Sequence, residues 1–220
     1  MTLDEQQYYP YKRVQAYGSL PNVEKIPCLI RDYLMDLPQG DYEPIDDNRL
    51  WRVQLMKYLY YDGVRPLDNP LPGVQEKLQL VYDPEKPSNP PGEKGYRIFT
   101  QVLTPNAQTD GVTTMRIVMS RLYPTDNYIS QVGIQIYFMT NANYEASAKT
   151  RDAMSRTFTM ACLAVRALNG LNIGAGVGTL YFSRSGDTDC NIYPISDEQM
   201  NVGYRLTMAL TVEGTNVHDQ

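Results

Sequence analysis

The chain is poor in the residues from which most enzyme sites are built. Among its 220 residues there is one histidine, His218, two places from the end. Chain ends usually fray, so a histidine-based site is not expected. The three cysteines, Cys28, Cys162 and Cys190, are far apart and form no C-x-x-C pair. That excludes the common zinc and dithiol motifs and leaves free thiols in a reducing compartment as the simplest reading. No G-x-S-x-G nucleophile motif occurs, and no apolar run approaches the ~20 residues of a membrane span. The opening stretch MTLDEQQYYPYKR lacks the charged-then-apolar order of a secretion signal. The expectation is a soluble product of the cytoplasm, with no membrane partner, no cofactor and no catalytic or metal-binding constellation.

Phenylalanine and tryptophan are also scarce, at four and one, against 18 tyrosines and 15 prolines. Tyrosine joins an apolar ring to a polar tip, which suits strands and contact surfaces that stay partly wet. The net charge of −5 argues against a general nucleic-acid footprint. With 42% hydrophobic residues, the chain is expected to fold around one core without staples.

Residues 1–21 are polar and tyrosine-rich and read as an extended arm before a single domain over 22–213, with 214–220 as a tail. Residues 22–37 read as a first helix. Asn22 is its N-cap, Pro27 lies near its start, Ile26, Leu29 or Ile30, Tyr33 and Leu37 recur at helical spacing, and Pro38-Gln39-Gly40 ends it. Residues 46–62 read as a second helix, capped by Asp46 or Asp47, with Trp51, Leu55 and Leu59 on one face. A strand with Trp51, Val53 and Leu55 in phase is the alternative. Prolines crowd residues 63–95, which read as a loop region around one apolar piece, Val74 to Tyr82.

Three strands follow, over 96–104, 113–122 and 128–139. In the third, Ser130, Val132, Ile134, Ile136 and Phe138 alternate with polar or small residues, so one face is dry. The turn at Pro124 to Asn127 joins the second and third strands into a long antiparallel hairpin. Residues 144–169 read as the central helix, capped by Asn143 and closed by Asn169-Gly170, with Met154, Phe158, Ala161, Val165 and Leu168 as its apolar stripe. Strands over 177–184, 190–194 and 201–213 complete the pattern. The order predicts an α+β fold with a mainly antiparallel sheet.

Four features invite a functional reading. Gly174-Ala-Gly176-Val-Gly178 follows a helix and precedes a strand, the inverse of a phosphate-binding loop, and reads as a turn needing close backbone approach. Asp187, Asp189, Asp197 and Glu198 read as turn residues rather than a cation site. Arg116, Arg121, Arg184 and Arg205 sit in or beside strands, either on a solvated face or at subunit contacts. Together with Tyr8, Tyr9, Tyr11 and Tyr123 they are the candidate interface residues.

The C-terminal half carries a resemblance. The hairpin, the amphipathic helix, Gly176-Val-Gly178-Thr-Leu-Tyr-Phe-Ser-Arg184, Ile192-Tyr-Pro-Ile195 and the run xGYRLxxxLxVxG from Val202 to Gly214 resemble the tail-terminator and tail-completion proteins of long-tailed bacteriophages. The resemblance implies a virion protein at the tail–neck junction that forms a hexameric ring. Its implied neighbours are the tail tube or sheath protein on one side and a head-completion or neck protein on the other. Genomic DNA passes through such a ring without specific binding, which an acidic chain favours by repulsion. Another neck protein, or a small-ligand binding module or enzyme using the region of Gly174 to Gly178, are the alternatives.

Overall fold

The computed structural model describes residues 23–37, 45–62, 65–86, 94–101, 112–124, 129–142, 145, 155–173, 178–183, 190–197 and 201–213. The first helix, α1, runs from Ile26 to Leu34 with Pro27 in its opening turn, where a missing N–H breaks no helical bond. Ile26, Leu29, Ile30 and Leu34 are its buried stripe. Lys25 stands at the N-cap and makes no side-chain capping bond; Asn22 and Pro38 to Gly40 lie outside the described residues. The helix stops before the expected end because Asp36 adopts φ 48°, a left-handed conformation that aspartate tolerates better than most residues.

Residues 51–60 form a helix, α2 (Trp51–Tyr60), rather than the alternative strand. The expected caps are not used. Leu50 is the N-cap, Asp46 pairs with Lys57 at 2.6 Å and accepts from the Leu71 amide, and Asp47 holds Arg49. Leu55 and Leu59 are buried, but Trp51 is 45% exposed, because the helix start projects past the core. The proline-rich stretch is not one loop. It contains a 3-10 turn, Pro66–Asp68, and a short helix, α3 (Val74–Gln79). The Tyr60 hydroxyl donates to Glu76 at 2.8 Å and the Tyr61 hydroxyl to the Pro70 carbonyl at 2.9 Å, so α2 holds this stretch in place.

The sheet has six strands: β1 (Ile98–Phe99), β2 (Thr114–Pro124), β3 (Ile129–Asn141), β4 (Leu180–Tyr181), β5 (Asn191–Ser196) and β6 (Asn201–Glu213). The order is β1-β2-β3-β6-β4, with β5 also on β6. The β2–β3 hairpin and the long last strand fall where the alternation placed them. Of the strand expected over 96–104, only Ile98 and Phe99 are strand among the described residues, running parallel to β2, and residues 102–104 lie outside them. Its N-terminal side is taken up by the preceding segment, where the amides of Arg97 and Ile98 both donate to the Leu80 carbonyl. The fold is α+β with a mixed, mainly antiparallel sheet.

One face of the sheet is dry. Met115, Ile117, Val132, Ile134, Ile136, Phe138, Leu206, Met208 and Leu210 form one cluster with the buried sides of α1, α2 and the last helix, α4 (Arg156–Leu168). The described part of α4 starts at Arg156, with the Ser155 hydroxyl accepting from the Phe158 amide at 3.1 Å; Asn143 and residues 146–154 lie outside the described residues. Its C-terminus is as expected, with Asn169 at the cap and Gly170 at φ 83°. The buried stripe is rotated from the expected one. Met160, Ala161, Leu163, Ala164, Ala167 and Leu168 face the core, while Phe158 is half-buried and meets the Tyr204 ring edge-on at 5.0 Å. Gly178 has φ 97°, and a Cβ there would stand 2.0 Å from the Thr211 carbonyl oxygen, which is the close approach expected at that glycine.

The C-terminus of α2 is the meeting point of the layers. Arg97, 1% exposed, donates to the carbonyls of Leu59 and Tyr60 and pairs through both terminal nitrogens with Asp62 at 2.6 and 2.8 Å. Arg156 of α4 donates to the carbonyls of Tyr58 and Tyr61. Lys94 donates to Tyr60 and lies 4.0 Å from that residue's ring centre. The last carbonyls of a helix have no helical donor and carry partial negative charge, so cations satisfy both needs.

Replacing Arg97 with Met is expected to cost about 2–4 kcal/mol in urea unfolding, less than for a fully buried pair because Asp62 is partly exposed. Lys77 should behave oppositely. It is fully buried, reaching the Asp36 carbonyl at 3.4 Å, and burial holds its ammonium below the usual value of 10.5. A lysine whose folded pKa is lowered weakens the fold fully below that pKa, and the penalty disappears as pH rises to the unfolded value. Lys77→Met is therefore expected to unfold at higher urea than the parent at pH 7, with the gap closing towards pH 10.5.

Candidate functional site

The opposite face of the sheet carries the candidate residues that lie in strands. Phe99 pairs with Arg116, Arg116 with Tyr137, Tyr137 with Arg205, and Arg205 with Tyr193. These five positions make one row across β1, β2, β3, β6 and β5, with aromatic rings and guanidinium groups alternating. Facing residues on adjacent strands lie about 5 Å apart, near enough for ring and cation to interact. The Arg116 guanidinium carbon is 5.9 Å from the Phe99 ring centre, and that of Arg205 is 5.6 Å from the Tyr193 ring centre. Burial lowers the pKa of Arg116, with Tyr137 acting in the other direction. The Tyr137 hydroxyl donates to Gln135 at 2.7 Å.

Two rows further along, the side chains are small. Arg121 pairs with Gly133, Gly133 with Ala209, and Ala209 with Tyr181. A Cβ on Gly133 would stand 2.8 Å from the Arg121 Cγ and 2.7 Å from the Ser120 Oγ, so Arg121 lies across the glycine. From the other side Tyr181 reaches over to receive a hydrogen bond from the Gln131 amide group. Tyr123 faces Gln131 in register. Arg184, Tyr8, Tyr9 and Tyr11 lie outside the described residues, as do His218, Asp187, Asp189 and Glu198. Asp197 accepts from the Asn201 backbone and side-chain amides at 2.9 and 2.8 Å, a turn role. The pattern of three strand arginines was visible in the sequence, but their alignment with Tyr137, Tyr193 and Phe99 depended on register.

Outward strand positions hold Arg116, Arg121 and Arg205. The chain as a whole has a net charge of −5, so its remainder is more acidic than the average. The buried residues of α1, α2 and α4 cluster with the other face. β5, at one edge of the sheet, contains Pro194, and a proline hinders the addition of another strand there. The register shift between Met119 and Arg121 lies in the pairing of β2 with β3.

A second feature lies at the start of α4. A cleft of about 480 Å³ is lined by Glu145, Ser155, Pro194, Ile195, Ser196, Val202, Gly203 and Tyr204. Glu145 is 7% exposed. Its Oε1 accepts from the Thr157 hydroxyl at 2.9 Å, while its buried Oε2 has no hydrogen-bond partner among the described residues. The sequence reading missed this residue because its surroundings come from strands fifty residues away. Cys28, Cys162 and Cys190 are free thiols, and burial pushes the Cys162 thiol up, away from the reactive thiolate form. Among the described residues no helix is long and apolar enough to cross a membrane.

If Arg121 is held by the space at Gly133, the two positions are coupled. Gly133→Ala is expected to cost about 1–3 kcal/mol, and to cost clearly less in a Ser120→Ala/Arg121→Ala background. A double-mutant cycle by thermal or urea unfolding measures the difference.

Neither the curated proteins nor the solved structures give a significant match. Residues 53–210, more than half of the chain, match the family model described as YomW, a phage-derived name from the Bacillus prophage SPbeta. The chain belongs to the phage-associated YomW family.

Proposed function

We propose that this chain is a structural protein of the virion, placed at the head–tail junction as a ring-forming tail terminator that caps the tail tube and joins it to the neck. The observation that carries the reading is the alternating arginine–aromatic face on a chain that is otherwise acidic. A ring needs a heterologous interface, in which two different surfaces of one chain fit each other. A basic, tyrosine-rich sheet face and an acidic remainder supply such a pair. Tyrosine and arginine are also the residues most enriched where protein contacts are strong. Pro194 in β5 hinders strand addition at that edge and favours association through the face. In this arrangement the tail tube or sheath protein and a neck protein are the axial partners. The acidic remainder would let DNA pass without holding it.

The test is the mass of the full chain by light scattering, over a range of concentration and salt, alone and with the tail tube protein. The expected species is a ring of six, six times the 25.1 kDa of the chain, and Arg205→Glu should convert it to smaller species without a large change in melting temperature. A chain that stays monomeric in both settings would exclude the ring.

A further inference from the structure

The arginine–aromatic row can be reached by a partner. Tyr193 is 58% exposed, and Arg116, Tyr137 and Arg205 are half-buried. Among the described strands, no outward position on this row or on the two rows beside it carries a carboxylate. Arg116 and Arg205 stand on β2 and β6, with β3 between them. Two strand spacings separate them, about 9.6 Å. A guanidinium group takes an aromatic ring on its face and a carboxylate on its edge. The row therefore suits a segment that offers such groups at steps of about 9–10 Å.

Such a segment precedes the first helix. Residues 1–22 lie outside the described residues, and their chemistry is that of the sequence, which includes Asp4, Glu5, Tyr8, Tyr9, Pro10 and Tyr11. Proline has its φ fixed at about −65° and biases the residue before it towards the extended region. Polyproline II, the extended form this favours, has about three residues per turn and a rise of about 3.1 Å. In that form Glu5, Tyr8 and Tyr11 share one face at steps of about 9.3 Å. That step matches the spacing of the two guanidinium groups. A segment in this form docks through its side chains and needs no strand edge. The twenty-two residues before Val23 span about 70 Å when extended, against about 20 Å for five strands side by side.

We propose that residues 4–11 of one copy lie across the arginine–aromatic row of the next, with two of Glu5, Tyr8 and Tyr11 on Arg116 and Arg205. The contact rests on the proposed association of copies through that face, and names the part of the neighbour that the face takes. Val23 and α1 belong to the cluster on the dry side of the sheet, opposite the row. In a heterologous contact the row of one copy faces a different surface of its neighbour. The helix side, from which the arm departs, is such a surface.

The experiment uses the full chain with Gln7 replaced by p-benzoylphenylalanine, mixed with isotope-labelled full chain and irradiated. The expected product joins residue 7 of one chain to labelled peptides that contain Arg116, Tyr137, Tyr193 or Arg205. Tyr8→Ser/Tyr11→Ser is expected to lower its yield at least ten-fold. A product within one chain, a product elsewhere on the partner, or an undiminished yield in the double variant overturns the contact. Light scattering on the same samples keeps the ring distinct. A six-membered ring that cross-links elsewhere overturns the arm contact alone. A smaller oligomer with the cross-link on the row overturns the ring and supports the contact. Monomers with no inter-chain product overturn both.

Discussion

The C-terminal carbonyls of α2 are the constraint on which the layers depend. Four consecutive residues, Tyr58 to Tyr61, offer carbonyls that two arginines and a lysine from other parts of the chain take up. Arg97 comes from the residue before β1, and Arg156 opens the described part of α4. A helix end buried without donors would be strongly unfavourable. The same groups therefore fix where β1 begins, how α4 crosses α2, and where the strand side of the proline-rich stretch must pass. Tyr60 and Tyr61 extend the arrangement to α3 through Glu76 and Pro70. Burying Arg97 is tolerable because the partial charges of the helix end add to the carboxylate of Asp62.

Upon that anchored layer the sheet divides the chain into two chemistries. The inward positions of β2, β3 and β6 are mostly aliphatic or aromatic and pack on helices. The outward ones hold arginine, tyrosine, glutamine, threonine and glycine together with Val118, Met139 and Ala209. A period of two makes this division nearly automatic once register is set, since a slip of one residue would place Arg116 and Arg205 in the core. The thirteen paired positions between β3 and β6 leave little room for such a slip. Phe99 and Tyr193 then close the row at either end.

Much of this was legible where the pattern is local. The alternation from Ser130 to Phe138 and from Val202 to Val212 marks two strands that pair along their length, and Asn169-Gly170 marks the end of α4. Features depending on distant partners were not legible. Nothing local to Arg97 shows that it will take carbonyls thirty-eight residues back. Nothing in Val74 to Gln79 outweighs the prolines around it until Tyr60 meets Glu76. Asp46 looked like a helix cap because caps favour aspartate, yet Lys57 and the Leu71 amide compete for the same oxygens. The stripe of α4 was misphased by taking Phe158 as core, when its ring lies against Tyr204 at the margin. For the site, three strand arginines were visible as candidates. Their rows, and the buried carboxylate of Glu145, emerge only from register and tertiary contact.

The ring proposed for this chain would be shaped by what its surfaces forbid. Open strand edges are the usual liability of a mixed sheet, and here Pro194 interrupts β5 at one of them. Strand addition is thereby hindered at that edge. What remains is contact through side chains, which depends on complementary charge and ring placement and so is selective about its partner. Arginine between aromatic rings suits that task, since the guanidinium keeps its charge at any physiological pH and loses little freedom when stacked. Such a surface would favour one orientation of contact while staying compatible with water, which is what the proposed ring requires.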